Sequence, residues 1–139
     1  MTIPADVKAY NKQLIAEFRA NGGPPGGRQI LLLTTIGART GRSYTTPMMF
    51  IPHGEDRLVI ASNAGAPRHP DWFHNLVSHT DVTVEVAGDT YQANARVPEG
   101  AERDRIWASV VQQYPFFADH QAKVSRTIPV VVLERRPPE

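Results

Sequence analysis

The sequence predicts a mainly β protein with flanking helices, an α+β chain built on a small antiparallel barrel. Three observations lead there. Six stretches have the length and apolar pattern of strands. Consecutive strands are mostly joined by short turns rather than helices, which excludes a doubly wound parallel sheet. Six hairpin-linked strands also exceed what one flat layer of a 139-residue chain can cover, so closure with helices packed outside is the economical answer.

The elements follow in order. Over residues 6–20 the apolar side chains Val7, Tyr10, Leu14, Ile15 and Phe18 recur three and four apart, as one helix face does. "NGGPPGG" at 21–27 stops that helix, because Gly and Pro in such density cannot continue it. "RQILLLTTI" is a strand apolar on both faces, and "YTTPMMFIP" and "DRLVIASN" are two more, joined by the turn "HGED". Pro47 lacks an N–H, so its place in a strand is an edge or a bulge. "HPDWFHNLVSH" reads as a short helix with Pro70 in its first turn. In "DVTVEVA" and "TYQANARV" the residues Val82, Val84 and Val86, then Tyr91, Ala93, Ala95 and Val97, alternate onto one face, with Gly88 and Asp89 as the hairpin turn. "EGAERDRIWASVVQQY" is a helix burying Ile106, Trp107, Val110 and Val111, "PFFADHQAKVSR" is a shorter one, and "TIPVVVLER" is a buried strand.

The length fits one domain over 1–139, with an N-terminal helix and linker at 1–28, a barrel with helices at 29–135 and a tail at 136–139. Hydrophobic content of 41% and charged content of 21% suit a globular chain. No apolar run approaches the ~20 residues of a membrane span, and the N-terminus lacks the basic-then-apolar pattern of a secretory signal. Cysteine is absent, which excludes disulfides and thiolate chemistry and fits a cytoplasmic setting. A net charge of +1 argues against nucleic-acid binding by bulk electrostatics. His69, His74 and His79 are five apart, about 140° of rotation per step on a helix, so they share no face, and no metal site is expected.

Two loops carry candidate chemistry. In "TTIGARTGRSYTTPM" the segment "GARTGR" joins two strands, which rules out the phosphate loop that opens a helix. Gly37 and Gly41 free its backbone, and its N–H groups, the Thr40 and Ser43 hydroxyls, Arg39 and Arg42 can converge on an anion. The bland alternative is a solvated basic turn. "ASNAGAPRHPDWFHNL" leaves a strand and runs into a helix N-terminus, a place suited to phosphate or carboxylate. Ser62 and Asn63 stand at the strand exit, and Arg68 and His69 lead into the helix. Trp72 and Asn75 share one helix face.

Together these stretches resemble the deazaflavin-dependent nitroreductase family, also described as deazaflavin-dependent quinone reductases. "TTIGARTG…TTP", "ASNAGAPRHPDWFHNL", "VTVEV", "AERDRIWASVV" and "IPVVVLE" occur in the family's order over roughly residues 31–134. The resemblance implies a split β-barrel of the FMN-binding-split-barrel type and binding of coenzyme F420, an 8-hydroxy-5-deazaflavin with a phosphate and a polyglutamate tail. It implies hydride transfer from the reduced coenzyme to a quinone or nitroaromatic acceptor. By position, Arg39, Thr40 and Gly41 resemble the coenzyme-phosphate loop, and Ser62, Asn63, Ala64 and Gly65 resemble a second loop near phosphate and ring. Trp72 and Asn75 match helix positions beside the tail, and Pro47 and Met48 match the strand behind the ring. Ala38 and Tyr44 stand where many members carry basic residues, with Arg42 or Arg68 as substitutes.

The coenzyme carries the redox chemistry, so no nucleophile and base pair is required. Ser62, Tyr114 and His120 are candidate proton donors, and Tyr114, Phe117 and His120 are candidate acceptor contacts. Tyr114, Phe116 and Phe117 either cover the ring or plug the barrel end. The alternatives are an FMN-dependent split-barrel oxidoreductase, or a non-catalytic deazaflavin-binding, storage or small-ligand carrier protein. The chain is expected to be a monomer or homodimer. The N-terminal helix packs on the barrel or, in a second reading, rests on a membrane surface where a lipid quinone is found.

Overall fold

The computed structural model describes residues 7–136, so the extreme N-terminus and the tail beyond Arg136 lie outside the described residues. Helix α1 (Val7–Asn21) leads through a glycine- and proline-rich link to the hairpin of β1 (Ile30–Ile36) and β2 (Ser43–Met49). Strands β3 (Ile51–His53) and β4 (Asp56–Ile60) follow, then α2 (Asp71–Ser78), β5 (Asp81–Val86) and β6 (Asp89–Arg96). Helices α3 (Gly100–Gln113) and α4 (Phe116–Ala122) precede the last strand, β7 (Val130–Arg135).

The seven strands form one sheet in the order β2-β1-β5-β6-β7-β4-β3, antiparallel at every pairing. Its two ends, β2 and β3, are separated in the chain by Phe50 alone. One extended segment therefore pairs with β1 by its first half and with β4 by its second, and the sheet curls into a barrel. This divides the strand expected over 44–52 in two, giving seven strands instead of six. The break leaves Phe50 free of either ladder, and its N–H instead reaches the Gln29 carbonyl. Pro47 pairs with Leu32 on β2, which has β1 as its only neighbour in the order, so the missing N–H faces no ladder. The β5–β6 turn falls one residue earlier than the sequence pattern places it. Val86 pairs with Asp89, so Ala87 and Gly88 make the turn, and Gly88 takes the positive φ of 76°.

One face of β1, β4, β5, β6 and β7 fills the barrel: Leu31 and Leu33, Val59, Val82 and Val84, Ala93 and Ala95, Val131 and Leu133. A second cluster lies outside, where Ile106, Val110 and Phe117 of α3 and α4 cover Ile51, Leu58, Val130 and Val132. Strand β7 thus alternates between two cores, which is why "VVVL" is apolar without interruption. Trp107 and Val111 pack at the border of the outer cluster.

Leu14 and Phe18 of α1 are buried, so this part of its apolar stripe is engaged on the barrel, and α1 contacts β2. Tyr10, expected on that stripe, is 45% exposed. Arg19 grips the Glu85 carboxylate through Nε at 3.1 Å and Nη2 at 2.8 Å, tying the last turn of α1 to β5. Among the described residues no helix is long and apolar enough to cross a membrane. Because Phe18 is only 3% exposed, Phe18→Ala is expected to destabilise α1 docking by about 3–5 kcal/mol. Amide exchange in α1 should accelerate while exchange in β5 and β6 stays slow. Equal acceleration in all three would show that α1 and the barrel unfold as one unit.

Candidate functional site

A cleft of about 1340 Å³ opens where α1, the β1–β2 loop and the start of α2 meet. The pairing scheme explains the meeting. Strand β1 lies between β2 and β5, and α2 feeds directly into β5 while packing on β1. The loop at 37–42 therefore emerges beside α2.

That loop is internally braced. Gly37 N–H donates to the Arg42 carbonyl at 2.8 Å, and Gly41 N–H to the Gly37 carbonyl at 3.0 Å. Arg42 N–H donates to Thr40 Oγ1 at 3.2 Å, and the Thr40 and Tyr44 hydroxyls share a bond of 3.0 Å. Gly41 has φ of 70°, so a side chain there is strained. A methyl at Gly37 would come within 2.5 Å of Thr40 Oγ1 and 2.7 Å of the Tyr44 ring. Asn75 locks the loop to α2: its Oδ1 accepts from Ala38 N–H at 3.0 Å and its Nδ2 donates to the buried Thr35 hydroxyl at 3.2 Å. Among the described residues the N–H groups of Arg39 and Thr40 find no acceptor.

Charge is distributed unevenly around the cleft. Lys12, Arg39, Arg68 and Arg126 line it, with Asp71 the one acid. Four cations against one acid leave a formal +3 in the cleft of a chain whose total is +1. Among the described residues none of the four cations makes an ion pair. Trp72 is half-buried, packs on the barrel core and lines the cleft.

The second loop is bent sharply. Asn63 and Ala64 have φ of 50° and 54°, uncommon for residues with a Cβ, and Gly65 follows at 80°. Asn63 Nδ2 donates to the Arg68 carbonyl at 3.1 Å. Helix α4 leans on this turn, since a Cβ at Gly65 would meet the Lys123 side chain at 3.3 Å and the His120 backbone at 3.5 Å. Ser62 is buried at its start.

Of the residues singled out from sequence, Arg39, Thr40, Arg68, His69, Trp72 and Asn75 line the cleft, together with Gly37, Ala38 and Tyr44 of the first loop and its foot. Pro47 and Met48 stand on β2 beyond the lining, Met48 packed on the barrel core. Gly41, Arg42, Ser62, Asn63, Ala64 and Gly65 are not on the cleft wall, nor are Tyr114, Phe117 and His120. Arg42 lies at the outer foot of the loop, where β2 begins. The Thr40 hydroxyl and the Asn75 amide, read from sequence as ligand contacts, are already engaged in bracing the loop. Phe117 is 6% exposed inside the outer core, packed between the helices and the outside of the sheet. Tyr114 packs edge-on against Phe116 and Phe117, and its hydroxyl lies 3.4 Å from Gln29 Nε2. Burial first, then Lys123, pushes His120 below the ordinary histidine range, with Nδ1 buried and unpartnered.

Sequence reasoning missed Lys12, Asn11 and Ile15 on α1, which form the outer wall, and Arg126 before β7. Nothing local distinguishes Lys12 from any solvated helix lysine. Arg126 is recognisable only through strand register.

The profile of the F420H(2)-dependent quinone reductases matches residues 10–135. The chain belongs to that family. It is 36% identical over 115 residues to an F420H(2)-dependent quinone reductase of Mycobacterium tuberculosis, covering 81% of this chain and 77% of the relative. A solved F420-H2 dependent reductase superposes with a TM-score of 0.69 at 35% identity, covering 77% of this chain and 95% of the other. A further solved chain, described as a domain-swapped dimer, gives a TM-score of 0.72 at 32% identity over 88% of this chain and 96% of its own. The fold is thus the split barrel of F420-dependent reductases, and members of this family are oxidoreductases that use the reduced deazaflavin.

Truncating a buried Phe removes both transfer energy and packing, so Phe117→Ala is expected to lower folding stability by about 3–5 kcal/mol in urea titration. A variant of unchanged stability that had lost quinone turnover would return Phe117 to a covering role.

Proposed function

We propose that the chain reduces quinones with F420H2, and that the coenzyme's anionic groups lie in the +3 cleft. The observation that carries this is the coincidence of unpaired cations with the open N–H groups of Arg39 and Thr40. Together they fit a phosphate followed by carboxylates, because charge-assisted bonds to such groups are the strong ones. The deazaflavin, when bound, supplies the hydride. The protein's own part is to fix geometry. Asn75 sets the loop height, Arg39 and Arg68 bind the anionic groups, and the Trp72 face limits the cleft's width. The turn at Ser62 to Gly65 and strand β2 at Pro47 and Met48 back the ring, with α4 behind the turn. Tyr114, His120 and Ser62 are proposed to serve the acceptor's proton supply, and Phe117 to act through packing. Nitroaromatics are a second acceptor class of the same flat, electron-poor kind. The similar chain described as a domain-swapped dimer supports a homodimer as one assembly state, checked by light scattering.

Fluorescence titration should show F420 binding at micromolar or lower concentration, with FMN weaker by about tenfold or more. The reverse preference would favour the FMN-dependent alternative, and binding without quinone-dependent oxidation would favour a carrier. Arg39→Ala is expected to lose about 1.5–3 kcal/mol of coenzyme binding, roughly ten- to a hundredfold. Arg42→Ala, off the cleft wall, is the control and should stay within about threefold, inside the scatter of a solvated surface charge. Equal losses in both would mean a diffuse basic surface rather than a site.

A further inference from the structure

Ile60 of β4 pairs with Val130 of β7, so the chain leaving β4 runs beside the chain entering β7. Arg126 sits in that second segment and reaches across. Its Nε and Nη2 donate to the Ala66 carbonyl at 3.2 and 3.1 Å, Nη2 to the Ser62 carbonyl at 2.8 Å and Nη1 to the Ala61 carbonyl at 3.1 Å. Nη1 also lies 3.0 Å from His69 Nδ1.

Two consequences follow from elementary chemistry. The carbonyls of Ser62 and Ala66 flank the left-handed run of Asn63, Ala64 and Gly65, so one guanidinium fork clamps both sides of a strained turn. A guanidinium carries donors and no acceptor, so His69 Nδ1 must accept through its lone pair. The ring proton is then on Nε2. His69 lines the cleft, and with Nδ1 engaged its remaining polar group is that N–H.

We infer that Arg126 is a positioning residue that holds residues 61–69 against the cleft and fixes His69 as the neutral Nε2–H tautomer. His69 thereby presents a single N–H donor to an oxygen of the bound anionic coenzyme. The charged groups around the ring agree. Burial, then Arg126, then the facing His74 of α2 all push His69 below the ordinary histidine range. Arg68 precedes it in the chain, and Asp71, the cleft's acid, follows two residues on. His69 also packs at 4.8 Å on the Phe73 ring, which limits its rotation. The coenzyme contact rests on the function proposed above; the tautomer does not.

The test separates the two. Nitrogen NMR of the imidazoles in the full chain without coenzyme should find His69 protonated at Nε2 and titrating below free histidine. Arg126→Gln should raise that midpoint, because removing a positive neighbour and loosening the turn both favour the charged ring. Arg126→Lys, a point charge that cannot fork, should also free the tautomer. An Nδ1-protonated His69 in the wild-type chain, or a midpoint unmoved in both variants, would overturn the positioning role. In F420 titrations, His69→Ala should weaken binding roughly three- to tenfold, and His69→Gln, which keeps an N–H at similar reach, should regain most of it. Wild-type affinity in His69→Ala would end the donor role. Failure of the wild-type chain to bind F420 at all would overturn the proposed function and the donor role, with the tautomer result standing on its own.

Discussion

Strand β7 must bury both of its faces, and the rest of the architecture follows from this. Val131 and Leu133 point into the barrel while Val130 and Val132 point under α3 and α4. A slip of one residue would exchange the two sets and, in one direction, carry the polar Glu134 into the barrel slot of Leu133. The register against β4 and β6 is therefore tightly specified. That register sets Pro129 opposite Ala61, whose N–H donates to the Pro129 carbonyl at 3.1 Å. It also delivers Arg126 to the second loop. A packing requirement in the core thus decides where a cleft cation stands.

The loops show how satisfied hydrogen bonds define a site by elimination. In the segment 37–42 the N–H groups of Gly37, Ala38, Gly41 and Arg42 and the Thr40 hydroxyl are paired within the loop, with Tyr44 or with Asn75. The donors left open are two N–H groups and the guanidinium groups of Arg39 and Arg42, of which only Arg39 lines the cleft. An unpaired donor is tolerated at a surface because water meets it, and an anionic ligand meets it better. The same logic applies to Arg126. A half-buried cation with no carboxylate partner is costly in isolation. Three carbonyls and an imidazole nitrogen satisfy its donors but do not cancel its charge, so its field persists in the cleft.

The fold was legible where local pattern and tertiary demand agree. The alternation of Val82, Val84, Val86, Tyr91, Ala93 and Ala95 and the unbroken "VVVL" run each dictate burial directly. The break at Phe50 was not legible, because a strand that changes partners keeps the composition of one strand. The turn at Ala87 and Gly88 was displaced by one residue because Asp89 is as good a turn former as Gly88. At the site, the glycines and arginines of "GARTGR" mark a cradle, yet residue type cannot say which groups face outward. Thr40 and Arg42 look equal to Arg39 in sequence. Their difference is a matter of internal bonding and strand geometry. Arg126 and Lys12 were invisible for a plainer reason: 64 residues separate Arg126 from Ser62, and only folding makes them neighbours.

Helix α1 completes the cleft on the weakest terms. Leu14 and Phe18 anchor it, and the Arg19 and Glu85 pair adds little, since an exposed ion pair contributes about 0–1 kcal/mol. Its link to β1 contains Gly22, Gly26 and Gly27 at positive φ, conformations that hold no side chain against the barrel. Yet Lys12 supplies one of the four cleft cations. Lys12 is exposed on α1, whereas Arg39, Arg68 and Arg126 stand on loops carried by the barrel. An anion in the cleft adds attraction between Lys12 and the ligand. By linkage, whatever binds the assembled cleft more tightly than the open one stabilises α1 docking. With the coenzyme's anionic groups in the cleft as proposed, coenzyme affinity and helix docking would be one equilibrium, in which the barrel supplies three of the four charges.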